Sequence, residues 1–229
     1  MDILVAPVTW LPCWRIIPSR FPPIDLFERV ADPADLEAIV ELESLTNDRI
    51  REEVGMLQLV PVQDRISGRG SSYIMAAFTH LNPAGSRFSD GTYGVFYAAD
   101  TLDTAIAETR HHREQFMRAT SEPPMELDMR VLLVDLDQQL HDIREMGPSL
   151  PDVYAADNYS ASQALGKRLR GQESWGIIYN SVRHPGGECA AVFRPPALRN
   201  CRQERHLCYV WDGMRISSIY RKSSLRQLP

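Results

Sequence analysis

The sequence contains no uninterrupted apolar run of about 18 residues, the length that a membrane-spanning helix requires. Its start also lacks the basic flank and apolar core of a secretory signal peptide, and Asp2 and Pro7 argue against one. Positive charge is not in excess, since 25 Lys and Arg stand against 30 Asp and Glu, for a net charge of −5. Nucleic-acid-binding proteins normally carry a basic surface. We therefore expect neither a membrane span nor direct binding of nucleic acid.

Cysteine is scarce, and the four thiols show no Cys-x-x-Cys spacing. This pattern predicts reduced thiols in a cytoplasmic protein, with Cys189 and Cys208 as small buried hydrophobic residues. A phosphate-binding P-loop is also absent, because no Gly-Lys-Ser/Thr follows the glycine-rich residues 68–72.

The chain does have enough apolar residues, 44% of its 229, to fill a substantial core. Short strand and helix patterns alternate irregularly, which predicts an α+β fold and not a doubly wound sheet. We expect strands at residues 73–80, 93–98, 129–136, 176–181 and 189–193, a final hairpin of residues 207–211 and 216–220, and a helix at residues 160–169 with Ala164, Leu165 and Leu169 facing inward.

The N-terminal part differs in composition. Residues 1–23 are rich in proline and are interleaved with Trp10 and Trp14, which predicts an extended segment that packs on the body of the protein. Asp32 is a good N-cap for a following helix. A second short helix is expected at residues 48–54, and Arg49 at its start is either an ion-paired surface residue or a phosphate ligand. We divide the chain into an extended and helical segment, residues 1–69, and a core, residues 70–229, that form one globular unit.

Residues 86–116 carry the strongest functional pattern: a glycine-punctuated turn, a strand and a helix capped by Asp100 or Thr101. Gly91 and Gly94 allow a sharp turn and a close approach to a ligand. Three polar residues occur at intervals of about ten along this stretch, namely Arg87, Tyr97 and Glu108.

In order and spacing, Arg87, Tyr97 and Glu108, followed by Ser181 within Trp175-Gly176-Ile177-Ile178-Tyr179-Asn180-Ser181, resemble the RES domain family. The resemblance covers roughly residues 70–195, and residues 14–16 and 45–49 also look like longer members. It implies a bacterial, cytoplasmic toxin with an ADP-ribosyltransferase-like core of short mixed sheets and flanking helices. It also implies NAD+ as a substrate, no metal, and a cognate antitoxin, Xre-type or similar, that blocks the NAD cleft.

Cleavage of the nicotinamide–ribose bond creates an oxocarbenium-like centre, as in glycoside hydrolysis. The pyrophosphate needs a cation that binds with two hydrogen bonds, which Arg87 would supply, with Arg183 as a second candidate. Tyr97 and Tyr93 would form an aromatic wall, and Glu108 would stabilise the developing positive charge. Ser181 would bond the nicotinamide amide or a ribose. One type of ADP-ribosyltransferase has a histidine at such a point that holds a ribose hydroxyl, and by this resemblance His80 would do the same.

Each of these residues also has an ordinary structural interpretation. Arg87 would be a surface loop residue, Tyr97 a core aromatic, and Glu108 a solvated helix residue paired with His112. Ser181 would form a turn, and His80 would be a satisfied structural histidine.

Three functions remain open: an NAD-consuming enzyme, a catalytically inactive regulatory protein that keeps the fold, and a glycosidase that uses Glu108 and Glu188. For the enzyme, the acceptor of ADP-ribose is a protein target, phosphate or water.

Overall fold

The computed structural model describes residues 2–19, 26–44, 52 and 54–223. Within them, the strands are β1 (Val5–Pro18), β2 (Phe96–Ala99), β3 (Met125–Asp142), β4 (Gly176–Asn180), β5 (Glu188–Val192), β6 (Leu198–Trp211) and β7 (Ile216–Lys222). The α-helices there are α1 (Leu26–Arg29), α2 (Leu36–Ser44), α3 (Ser71–Thr79), α4 (Leu102–Ala119) and α5 (Ser160–Gly171). Short 3₁₀ turns occur at Pro33–Asp35, Leu57–Leu59, Val62–Asp64, Arg144–Met146 and Pro195–Ala197.

The strands form one mixed sheet in the order β1-β2-β5-β4-β3-β6-β7. Strands β3 and β4 pair in parallel, and the other neighbours are antiparallel. The long strand β1 pairs with β3 as well as with β2, so β1, β2, β5, β4 and β3 form a closed circuit. The paired strands β6 and β7 continue the sheet beyond this circuit.

Side chains alternate between two apolar cores on the two faces of the sheet, as the two-residue period of a strand requires. In β2, Phe96 and Ala98 belong to one core, and Ala99 belongs to the other. The first core also contains apolar residues of α1, α2 and α3, whereas the second contains those of α4 and α5. The sheet therefore separates the N-terminal helices from α4 and α5.

The α+β prediction is confirmed, and several of its elements are present. The proline-rich start is extended as β1, the central strand at residues 129–136 lies within β3, and the final hairpin is formed by β6 and β7. Asp32 caps the turn before α2 by accepting a 2.9 Å hydrogen bond from the Ala34 amide. All four cysteines are free and buried, which agrees with the burial predicted for Cys189 and Cys208.

Three local predictions are wrong. Residues 71–79 form helix α3 and not a strand, since their apolar side chains pack on one side against the first core. Strand β2 begins only at Phe96, because residues 91–93 still belong to the preceding turn. In α5, Leu165 and Leu169 are buried as expected, but Ala164 is exposed. The helix expected at residues 48–54 lies largely outside the described residues.

The connection from β2 to α4 positions the candidate site. Thr101 is the N-cap of α4 and accepts a 3.2 Å hydrogen bond from the Thr104 amide, as the sequence predicted for this position. Gly94 lies against the backbone of α3, where an added Cβ would come within 2.3 Å of the Phe78 Cα. The close approach expected at Gly94 is therefore an approach to a neighbouring helix. No helix in the described ranges has the length and apolar character to cross a membrane.

Candidate functional site

Two tyrosine hydroxyls fix the turn that carries Arg87. The Tyr97 hydroxyl forms a 2.8 Å hydrogen bond with Ser86 Oγ and accepts a 2.9 Å hydrogen bond from the Phe88 amide. The Tyr93 hydroxyl donates to the Phe88 carbonyl at 2.6 Å. Burial raises the pKa of Tyr97 to about 12, so its hydroxyl stays protonated at neutral pH. Together the two tyrosines hold the Ser86 side chain and the Phe88 backbone, which flank Arg87.

Arg87 is a buried residue, with 6% of its surface exposed. Its Nη1 donates to the carbonyls of Val153 and Ala155, each at 3.1 Å. Its Cζ lies 4.7 Å from the centre of the Tyr159 ring, within range of a cation–π interaction. Among the described residues, no acceptor bonds to Nε or Nη2 of Arg87. A guanidinium with one edge anchored and other donors available is suited to an anionic group.

Glu108 and Ser181 are 73 residues apart in sequence and meet in space. Ser181 Oγ donates a 2.6 Å hydrogen bond to Glu108 Oε1. The same Oγ accepts hydrogen bonds from the amides of Arg183 at 3.1 Å and His184 at 2.9 Å. The described part of the chain supplies no donor to the second carboxylate oxygen, Oε2. One oxygen of Glu108 is therefore held in place while the other stays available.

The loop after β4 is tied to the first turn of α4. The Nδ1 atom of His184 lies 2.9 Å from Thr104 Oγ1, and Thr104 is completely buried. Gly187 packs against the same threonine, where an added Cβ would approach Thr104 Oγ1 to 2.4 Å. The loop that carries Ser181 is thus fixed to the helix that carries Glu108.

The charges of Glu108 and Arg87 both act on Tyr179. This tyrosine lies in β4 and packs edge-to-face on Phe88, with ring centres 5.0 Å apart. Burial raises the pKa of Tyr179 well above its usual range; the negative charge of Glu108 raises it further, and Arg87 lowers it. Burial and the charge of Glu108 likewise raise the pKa of the Cys189 thiol. Glu108 and Arg87 therefore lie near one buried phenol.

Arg183, His111 and His112 add positive or titratable groups beside this site. Arg183 Nη2 donates to the Ala156 carbonyl and, at 3.2 Å, to Asp157 Oδ1. Desolvation by neighbouring atoms, followed by the charges of His111, Arg183 and Arg87, lowers the pKa of His112 to about 4. His112 is therefore neutral at neutral pH and forms no ion pair with Glu108. The interpretation of Glu108 as a solvated helix residue paired with His112 is thus not supported.

The remaining sequence-predicted residues lie in other surroundings. His80 is exposed; its Nε2 lies 3.0 Å from the Glu52 carbonyl and its Nδ1 lies 3.2 Å from Thr79 Oγ1. None of its hydrogen bonds to described residues involves Arg87, Glu108 or Ser181. The Tyr93 ring lies in the core against Phe193 and beneath Arg170. Arg49 lies outside the described residues.

Glu188, the second carboxylate of the glycosidase hypothesis, is held in an ion pair. Arg144 Nη1 donates to both of its oxygens, at 2.9 and 3.0 Å. The same guanidinium also binds Asp142. A carboxylate engaged on both oxygens is poorly placed to act as a general acid, base or nucleophile. In the described ranges, no group of three or more His, Cys, Asp or Glu residues is arranged to hold a metal ion.

Sequence reasoning missed the residues that support the site, namely Ser86, Thr104, Tyr159, Tyr179 and the carbonyls of residues 153–156. The contact between Ser86 and Tyr97 spans 11 positions and the contact between Thr104 and His184 spans 80, so no local pattern indicates either one. The short polar run around Asp157 and Asn158 was the only available signal, and it marks a loop without indicating its partners.

The α+β fold, the buried Arg87 and the hydrogen bond between Ser181 and Glu108 agree with the family that the order of the motif residues indicated. The RES domain family model matches residues 63–212. An uncharacterized protein, y4oC, of Sinorhizobium fredii (strain NBRC 101917 / NGR234) is 34% identical over 207 residues, which cover 90% of this chain and 86% of that protein. The chain therefore belongs to the RES domain family, and the resemblance noted in its sequence is confirmed.

Among solved structures, this chain is similar to one chain of the crystal structure of the M. tuberculosis MbcT–MbcA toxin–antitoxin complex. The two chains are 13% identical, with a TM-score of 0.47, and the alignment covers 87% of this chain and 86% of the other.

Proposed function

We propose that this chain is the toxin of a bacterial toxin–antitoxin pair and that it acts by cleaving the nicotinamide–ribose bond of NAD+. The observation that carries the proposal is the 2.6 Å hydrogen bond from Ser181 to Glu108, which unites two of the family's motif residues from distant parts of the chain. Membership of the RES family supports the toxin class.

The reaction breaks the C–N bond between ribose and nicotinamide, and nicotinamide leaves with the electron pair. An oxygen of the acceptor then bonds to the anomeric carbon and loses its proton. Glu108 is the group suited to stabilise the cationic ribose, because its free oxygen carries negative charge and its other oxygen is fixed by Ser181. An interaction that strengthens as charge develops lowers the barrier more than it strengthens substrate binding.

Arg87 is suited to the pyrophosphate, because Nε and Nη2 remain available while Nη1 anchors the side chain. Tyr97 supports this arrangement through the turn and not through a free hydroxyl, since its hydroxyl bonds Ser86 and Phe88. Likewise, Ser181 acts first on Glu108, so contact with nicotinamide or ribose is a secondary role for it. We retain His80, Tyr93, Arg49 and Arg183 as candidate NAD contacts, with Arg183 favoured by its place beside Ser181.

The type of enzyme depends on which molecule accepts the ADP-ribose. A protein side chain would make the chain a mono-ADP-ribosyltransferase, phosphate an NAD+ phosphorylase, and water a glycohydrolase. We further propose a cytoplasmic location, where NAD+ is available, and a cognate antitoxin of Xre or similar type that covers the NAD site.

The test is to incubate the purified chain with NAD+ and to follow nicotinamide release, then to identify the ADP-ribose product by mass spectrometry with and without phosphate and cell lysate. Nicotinamide release supports the enzyme, and the product identifies the acceptor. If intact, folded protein releases no nicotinamide under any of these conditions, the alternative of a catalytically inactive regulatory protein is favoured.

A further inference from the structure

Residues 155–158, which we term the strap, run between the Arg87 anchor and helix α5. Their polar contacts lead to the two arginines of the candidate site. The Ala155 carbonyl accepts from Arg87 Nη1 at 3.1 Å. The Ala156 carbonyl and Asp157 Oδ1 both accept from Arg183 Nη2, the latter at 3.2 Å. The strap thus places oxygen atoms against both cations.

The strap is fixed at its ends and lightly held between them. On one side, the Tyr154 hydroxyl donates to the Ile143 carbonyl at 2.7 Å. On the other, Asn158 Oδ1 accepts from the amide and hydroxyl of Ser160. Between these points, the amides of Ala156 and Asp157 donate to no described residue, and both residues are exposed. The arginine side chains therefore provide the main polar hold on the middle of the strap.

The contacts with the strap leave neighbouring polar nitrogens unused. Within the part of the chain that the structure describes, the Nε atom of Arg183 and the Nε2 atom of His111 are buried and have no hydrogen-bond partner. The distance from His111 Nε2 to Asp157 Oδ1 is 3.9 Å, which is too long for a hydrogen bond. A diphosphate carries more negative charge and more acceptor oxygens than one carboxylate, so it can accept more hydrogen bonds from Arg183 and, in the tautomer with Nε2–H, one from His111.

We propose that Asp157 is a specificity-determining residue that occupies the place of a ligand's anionic group on Arg183. A ligand with a diphosphate displaces Asp157 and the Ala156 carbonyl from Arg183, whereas a ligand without one does not. The Ala155 carbonyl stays on Arg87 Nη1. The inference rests on the proposed function in that it assigns a diphosphate to this site. It goes further by naming the internal group with which the diphosphate competes.

The test compares Asp157→Asn with Asp152→Asn. Both changes remove one exposed carboxylate from the same loop. Asp157 forms an ion pair with Arg183, whereas no hydrogen bond or ion pair joins the Asp152 side chain to Arg87 or Arg183 in the described structure. Binding is measured by titration calorimetry with ADP as the diphosphate probe and adenosine as its uncharged counterpart. Because 72% of the Asp157 side chain is exposed, the change in affinity should be modest. We expect Asp157→Asn to tighten ADP binding about two- to five-fold, the range typical of an exposed ion pair, and to leave adenosine unaffected. Asp152→Asn should change neither.

Limited proteolysis of the wild-type chain gives the second measurement. ADP should increase cleavage within residues 156–158, because this exposed part of the strap leaves Arg183. Unchanged or weaker ADP binding by Asp157→Asn, protection of the strap by ADP, or no ADP binding by either protein would overturn the inference. Nicotinamide release from NAD+ by the wild-type chain is a separate readout, so the enzyme assignment can stand where the role of Asp157 fails.

Discussion

At the level of single residues, Glu108 and Arg87 each have one atom held by hydrogen bonds and other atoms available to a ligand. Glu108 has one oxygen fixed by Ser181, and Arg87 has one nitrogen fixed by two carbonyls. In each case the remaining atoms face no described partner. This arrangement limits the reorganisation that a bound ligand requires, which is the condition under which electrostatic groups contribute most to catalysis.

Replacing Glu108 with Gln should reduce turnover far more than binding. The amide keeps the size of the side chain and an oxygen for Ser181, but it removes the negative charge that stabilises the cationic ribose. Loss of one preorganised electrostatic group typically costs roughly 10²–10³-fold in turnover. Nicotinamide release and NAD+ affinity should be measured on the same preparation, with Asp103→Asn as the control for loss of one charge in the same helix. Near-normal turnover of the folded variant would remove Glu108 from the reaction.

Replacing Arg87 with Lys should weaken NAD+ binding and leave the fold intact. Lysine keeps the charge but cannot anchor one nitrogen to the Val153 and Ala155 carbonyls while presenting others to a diphosphate. We expect KM for NAD+ to rise in steady-state assays. The matched control is Arg110→Lys, since Arg110 is 57% exposed and lies on the same helix as Glu108. An unchanged KM for Arg87→Lys would place this arginine outside the NAD+ site.

At the scale of elements, helix α5 packs directly on the turn that carries Arg87. Gly166 makes this contact possible, because a Cβ there would lie 2.2 Å from the Phe88 carbonyl oxygen. Gly171, in the same helix, has open space at the corresponding position. The two glycines therefore provide a matched pair for testing how strongly the helix positions the turn.

Gly166→Ala should disturb the turn and weaken NAD+ binding, although alanine is normally the better helix former by about 1 kcal/mol. Gly171→Ala should be neutral or slightly stabilising, because the propensity gain meets no clash. Thermal unfolding and KM for NAD+ should be measured for both variants. Equal stability and equal KM in the two proteins would mean that the turn adjusts without affecting Arg87.

Only some of the helices, strands and contacts that form the site could be predicted from the sequence. The order Arg87, Tyr97, Glu108 and Ser181 indicated the family, and the Thr101 cap and β3 followed from local patterns. Helix α3 did not, because its nine residues are mostly apolar and too short for the helical period to be distinguished from a buried strand. The α3 N-cap is Gly70, which supplies no side-chain hydrogen bond and so gave no start signal. The contact of Arg87 with residues 153–155 joins segments more than 60 positions apart, and nothing local encodes it.

At the scale of the whole molecule, the proposed function has a cellular consequence. A chain that consumes NAD+ without its antitoxin should deplete the cofactor of the cell that makes it.

Expression of the wild-type chain alone in bacteria should therefore arrest growth and lower cellular NAD+. Expression of Glu108→Gln to the same level should allow growth, because the variant binds but does not turn over NAD+. Growth curves and NAD+ assays should be taken alongside immunoblots of the soluble fraction. Normal growth of cells that contain soluble, full-length wild-type protein would contradict the toxin assignment.

The closed circuit of strands links activity to the order in which the chain is synthesised. Strand β1 leaves the ribosome before its partners β2 and β3, which begin 78 or more positions after it ends, at Phe96 and Met125. The circuit then closes only through β4 and β5, and Ser181 lies between them. A nascent chain that stops before this point holds Glu108 without its hydrogen-bond partner. Synthesis of the segment from β4 to β5 thus completes the site, and chains that end before it carry the carboxylate without the serine that orients it.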